Sequence, residues 1–140
     1  MQTVPHDGDI FHLCDIVRLC DIVRETSFEI HKYLRSGHLE KIYENALAHR
    51  LRKSGIKVSQ KYPLCVLDED GTEIGKLEVD LIIDNRLILE VKACRVLVDE
   101  HVAQLLGYLR ACRLEHGLLI NFGGQRLQIK KYILSRERGI

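Results

Sequence analysis

Between Leu39 and Lys53, the apolar residues Leu39, Ile42, Tyr43, Ala46 and Leu47 fall on one helical face, and Ser54-Gly55 stops the run. An earlier helix is expected from Leu13 or Leu19 to Leu34, with Gly37 as its stop. The pattern then changes to strands separated by turn residues. Val58–Leu67, Thr72–Ile83 and Leu87–Ala93 read as an antiparallel meander, turned at Asp68-Glu69-Asp70-Gly71 and at Asp84-Asn85, with Gly75 as a candidate bend. A helix follows from Asp99, read as its N-cap, to His116, with Gly117 as C-cap. Leu118–Phe122 is a buried strand, Gly123-Gly124 a turn, and Arg126–Ile133 the last strand. The order α-α-β-β-β-α-β-β predicts an α/β fold, a mixed sheet flanked by helices.

The chain has 140 residues, which suits a single domain over 1–140 with residues 1–12 as a loose extension. Its hydrophobic fraction of 46% and charged fraction of 29% are those of a soluble globular protein. No apolar run approaches the ~20 residues that span a bilayer, so no membrane partner is expected. Residues 1–9 lack the basic and apolar regions of a secretory signal, and a cytoplasmic location is the default. The five cysteines form no Cys-x-x-Cys pair and are read as reduced, mostly buried residues. Residues 13–18 and 19–24 repeat the hexapeptide Leu-Cys-Asp-Ile-Val-Arg, a local duplication that lengthens the first helix. A net charge of +1 argues against a strongly basic nucleic-acid coat, leaving contacts to local patches such as Arg50, Arg52, Lys53 and Lys57.

Chemistry concentrates at Ile88-Leu89-Glu90-Val91-Lys92. Residues two apart on a strand share a face, so Glu90 and Lys92 lie side by side among buried residues. Burying charge is expensive unless it is compensated. Asp80 interrupts the preceding apolar strand in the same way. Carboxylates with water suit Mg²⁺ or Mn²⁺, and phosphodiester hydrolysis needs a metal, a water and a cation. Asp80 and Glu90 can hold the metal, with the Val91 carbonyl as a further ligand. Lys92 can orient the water or neutralise the transition state. An isolated Glu-x-Lys is ordinarily a structural ion pair; the preceding Asp strand and the apolar flanks tip the balance. Register decides the matter. A two-residue loop at Asp84-Asn85 sends Asp80 to the face opposite Glu90. A three-residue loop, Asp84-Asn85-Arg86, or an equivalent bulge, pairs Ile83 with Leu87 and Asp80 with Glu90, and this register is expected.

Two helices contribute further candidates. His101, Gln104 and Tyr108 share a face, beside a stripe of Val102, Leu105, Leu106 and Leu109. Glu40 and Glu44 lie at the margin of the Leu39–Lys53 face, with Glu40 nearer the buried side and therefore the better ligand.

These segments together resemble the GxxExxY proteins, members of the PD-(D/E)XK nuclease superfamily. The likeness rests on Gly37 to Leu47, Gly75, Asp80-Leu81, Glu90-Val91-Lys92-Ala93, Ala103 to Leu109 and Gly117 to Gly123, and covers about residues 19 to 134. It implies a restriction-endonuclease-like core with Glu40, Asp80, Glu90 and Lys92 as active-site acids and lysine. Gln104 and Tyr108 resemble the Gln-x-x-x-Tyr element of RecB-like and Cas4-like nucleases, close to metal and nucleic acid. The position before Asp80 is Val79 rather than Pro. The cysteines of the Cas4-like iron–sulfur cluster are missing, so no cluster is expected. The expectation is a Mg²⁺- or Mn²⁺-dependent nuclease acting on DNA in preference to RNA, with catalytic Asp80, Glu90, Lys92, Glu40 and Gln104. Tyr108, His101 and Gln104 would contact nucleic acid, and Asp80, Glu90, Glu40 and Val91 would hold metal. The alternative is a non-catalytic module of the same fold that binds nucleic acid or a protein partner. An open sheet edge leaves room for a homodimer.

Overall fold

A computed structural model of the protein describes residues 5–135, with side chains described from Ile16 onward. The elements are α1 (Pro5–Leu34), α2 (Glu40–Lys53), β1 (Val58–Leu67), β2 (Glu73–Ile83), β3 (Leu87–Lys92), α3 (Asp99–Cys112), β4 (His116–Asn121) and β5 (Gln128–Ile133). The predicted order is therefore observed. α1 begins at Pro5, so most of the segment expected to be loose is drawn into the helix. Proline is tolerated in a first helical turn, where its missing N–H has no partner to lose.

The sheet runs β1-β2-β3-β4-β5 in both sequence and space. β3 and β4 are parallel, and α3 makes the crossover between them; the other neighbours are antiparallel. Each face carries its own core. α1 and α2 pack on Leu81, Ile83, Leu87, Leu89, Val91, Leu118, Ile120 and Phe122. On the other face, Leu105, Tyr108 and Leu109 of α3 cover Ile82, Ile88 and Leu119. Strands buried on both faces read as continuous apolar runs, which is why β3 and β4 do. Tyr43 of α2 stacks on Phe122, with ring centroids 4.6 Å apart, and its hydroxyl donates to the Arg35 carbonyl.

Three expectations need correction. α3 stops at Cys112, where Arg113 adopts the left-handed conformation with φ of 59°. Gly117 lies inside β4, and a Cβ there would come within 2.9 Å of Leu105. It serves close helix–sheet packing, not a helix end. On α2 the buried stripe is Tyr43, Glu44, Leu47, Ala48 and Leu51, while Leu39 is 77% exposed. The stripe follows the four-residue spacing 43-47-51, anchored by the Tyr43–Phe122 stack, which turns Glu44 inward and Glu40 outward. Of the four described cysteines, only Cys20 is buried.

Candidate active site

The β2–β3 turn is the expected three-residue loop. Ile83 pairs with Leu87, Ile82 with Ile88 and Leu81 with Leu89. Asp84 and Asn85 both have positive φ, and the Arg86 N–H donates to the Ile83 carbonyl at 3.0 Å. Two successive left-handed residues give the turn whose twist suits a hairpin, and Asp and Asn accept that conformation readily.

The next rung would be Asp80 and Glu90, and there side chains take over from the backbone ladder. The Val91 N–H donates to Asp80 Oδ2 at 3.0 Å, and the Asp80 N–H points to Glu90 Oε2 at 3.4 Å. Beyond this point β2 stays with β1 as far as Glu73, while β3 stays with β4 as far as Lys92. The two acids thus stand where the strands part. Alternation also breaks here. Val79 belongs to the α3-side core and Leu81 to the α1/α2-side core, although two-residue spacing should place them together. Across β1, Lys61 falls between the pairs Gln60–Leu81 and Tyr62–Val79, opposite Asp80, and has φ of 56°. A lysine in that region stores backbone strain, which tends to gather at functional sites.

Glu90 is 2% exposed, and Lys92 lies beside it with Nζ 3.9 Å from Glu90 Oε1. Lys92 Nζ donates to Gln104 Oε1 at 2.9 Å, and Gln104 Nε2 donates to the Tyr108 hydroxyl at 3.1 Å. One polar chain therefore runs from the strand acids to α3. Burial pushes Asp80 up to about 6 against the lowering by the Val91 N–H, and the charges of Glu44 and Glu40 add to the rise. Burial pushes Glu90 up to about 8, with the Asp80 carboxylate next in size. Tyr108 is raised by burial and then by the charges of Glu90 and Asp80, so its phenol stays protonated at neutral pH.

The other candidates divide. Glu40 is exposed on the first turn of α2 and reaches the acids only through its charge. His101 Nδ1 accepts the Val98 N–H at 3.1 Å, so the ring caps the start of α3. The N-cap is accordingly Val98, not Asp99. Among the described residues, no group of three or more His, Cys, Asp or Glu side chains is arranged to hold a metal ion.

Sequence reasoning undervalued one group. Glu44 is 2% exposed and accepts from Lys61 Nζ at 3.2 Å and from Gln60 Nε2 at 2.8 Å. Its bond to Glu44 raises Lys61, and the Asp80 charge adds to the effect. The available signal was a pair of four-residue rows, Tyr43-Leu47-Leu51 and Glu44-Ala48, which share one side of the helix.

The PD-(D/E)XK nuclease superfamily matches the chain over residues 17–132, and the chain belongs to it. The fold is the restriction-endonuclease-like one, and the activity associated with it is nuclease-type. No curated protein and no solved structure matches the chain. No helix among the described residues is long and apolar enough to cross a membrane.

Proposed function

We propose that this protein, taken as one nuclease-like domain over 1–140, is a metal-dependent nuclease that hydrolyses phosphodiester bonds in DNA. One observation carries the reading. Asp80 and Glu90 meet at the parting of β2 and β3, with Lys92 beside them and tied to Gln104. The resemblance to GxxExxY proteins and to the Gln-x-x-x-Tyr element of RecB-like and Cas4-like nucleases supports the same assignment.

The donor set fits a hard cation. Two carboxylates that burial pushes toward protonation would regain their charged form on binding a divalent ion. Asp80 and Glu90 would hold Mg²⁺ or Mn²⁺, with the Val91 carbonyl as a further donor, while Glu40, turned outward on α2, would add only its charge. When bound, the ion supplies Lewis acidity toward a phosphate oxygen and toward a water. Lys92 places its ammonium where negative charge grows on phosphorus oxygens as water adds and the P–O bond to the leaving oxygen breaks. Gln104 fixes the Lys92 ammonium, and Tyr108 in turn fixes the Gln104 amide. Lys61 brings a second cation to the same wall, paired with Glu44. His101 and Tyr108 would face nucleic acid along α3. A cytoplasmic location suits this role, and the open sheet edge allows a homodimer.

The test is cleavage of single- and double-stranded DNA and RNA with Mg²⁺, Mn²⁺ or EDTA. Asp80→Asn and Lys92→Ala should each lower the rate at least about a hundredfold. Cleavage that survives both substitutions would come from a contaminant. No cleavage of any substrate would leave the non-catalytic binding module.

A further inference from the structure

Gly107 sits in the middle of α3, and a Cβ built on it would meet nothing within 4 Å. Glycine inside a helix is markedly less stable than alanine. No neighbouring protein atom requires it here, in contrast to Gly117 against Leu105. The space it leaves is part of an open groove of about 550 Å³ between α3 and the outer part of the β1–β2 hairpin. Gln104, Gly107, Tyr108 and Ala111 line one wall at helical spacing, and Val66 and Leu77 line the other. Arg110, exposed, lies on the rim. The groove begins at Gln104 and Tyr108, where the polar chain from Lys92 ends.

We propose that this groove receives an unpaired base of a single-stranded DNA substrate, next to the phosphate held at Asp80, Glu90 and Lys92. The inference rests on the nuclease reading of that site and adds the substrate class. The lining is mostly apolar, Val66, Leu77, Gly107 and Ala111 beside the largely buried Tyr108, and the flat apolar face of any base suits such walls irrespective of sequence. Arg110 gives the rim the charge a phosphodiester needs. The volume is that of a small-ligand site. A base in a duplex is stacked and paired and could not enter. Deoxyribose suits these walls better than ribose, whose 2′-hydroxyl would lose water without gaining a partner on Val66, Leu77 or Ala111.

The groove can be filled without disturbing the fold, because Gly107 faces open space. Binding of labelled single-stranded DNA, blunt duplex DNA and single-stranded RNA of one sequence is measured by fluorescence anisotropy with Ca²⁺ in place of Mg²⁺. The unaltered protein should prefer single-stranded DNA. Gly107→Trp should weaken that binding at least about tenfold and leave duplex binding unchanged. Gly107→Ala, which takes up only a methyl group's worth of the groove, should weaken single-strand binding less than Gly107→Trp does. Leu77→Glu, on the opposite wall, should repeat the loss, with thermal melting confirming that each variant is folded. Equal binding of RNA and DNA overturns the proposal, as does unchanged single-strand binding by folded Gly107→Trp or an equal loss on duplex. The nuclease reading fails separately. Single-strand binding that depends on Gly107, without cleavage in Mg²⁺, sinks catalysis and keeps the groove. Cleavage by a protein that binds duplex as well as single strands sinks the groove alone.

Discussion

At Asp80, one carboxylate oxygen takes the Val91 N–H at 3.0 Å while burial drives the group toward protonation. Glu90 is pushed further, to about 8. Both groups hold protons in the folded chain at pH values where the unfolded chain has released them. Their contribution is full below the unfolded carboxylate range of about 4 and is lost as pH rises through about 6 and about 8. The metal-free protein should therefore melt several degrees lower at pH 8 than at pH 5, and Glu90→Gln should flatten that slope in a calorimetric pH series. Mg²⁺ should raise the melting temperature at pH 8 more than at pH 5, because only ionised acids hold it. Lys61 supports a different carboxylate. Lys61→Met removes one of the donors to buried Glu44 and should destabilise the protein by about 1–3 kcal/mol in urea titrations. Asp80, Glu90 and Lys92 were legible in the sequence because charge within an apolar strand stands out. Glu44 was undervalued because its apolar neighbours Leu39 and Ile42 suggested a stripe that tertiary packing rotates, and these two are exposed.

The loop from β3 to α3 fixes where Lys92 leaves the sheet, and β4 holds that loop from the side. The Phe122 N–H donates to the Lys92 carbonyl at 2.8 Å. Asn121 grips Cys94 through both its N–H, at 3.0 Å, and its carbonyl, at 2.9 Å. A Cβ at Gly123 would lie 2.3 Å from the Cys94 oxygen, so only glycine fits. Gly123→Ala should push this segment away, cost about 1–3 kcal/mol of stability and slow cleavage by up to about a hundredfold. Cleavage kinetics beside a denaturation curve would separate the two effects. The strands were legible to within a residue or two, since Gly and Asx turns bracket them. The end of α3 was not, because Arg113 takes the left-handed cap that Gly117 was expected to supply.

Taken together, the chain divides into a covered sheet and a projecting hairpin. β3 and β4 are buried along most of their length, whereas residues 67 and 71–78 are exposed. Backbone amides of the outer hairpin should exchange with solvent far faster than those of Leu118–Ile120 under native conditions, as mass spectrometry can record. The sequence announced both strands of this hairpin but not that one half stands clear of the sheet. Alternation and turn residues look the same on an arm and in a sheet. The groove at Gly107 was invisible for the same reason, since it exists only where the arm faces α3.

The exchange of backbone rungs for side chains at the parting of β2 and β3 bears on how this chain can change over generations. Asp80 accepts the Val91 strand amide, so a copy that loses the acid loses a structural hydrogen bond as well. Selection for folding alone therefore retains Asp80. Lys92 is different: among the described residues its side chain bonds to Gln104 and Glu90, and a folded chain could survive their loss. In drifting copies of this protein, Lys92 is the position whose persistence reports continued use of the site.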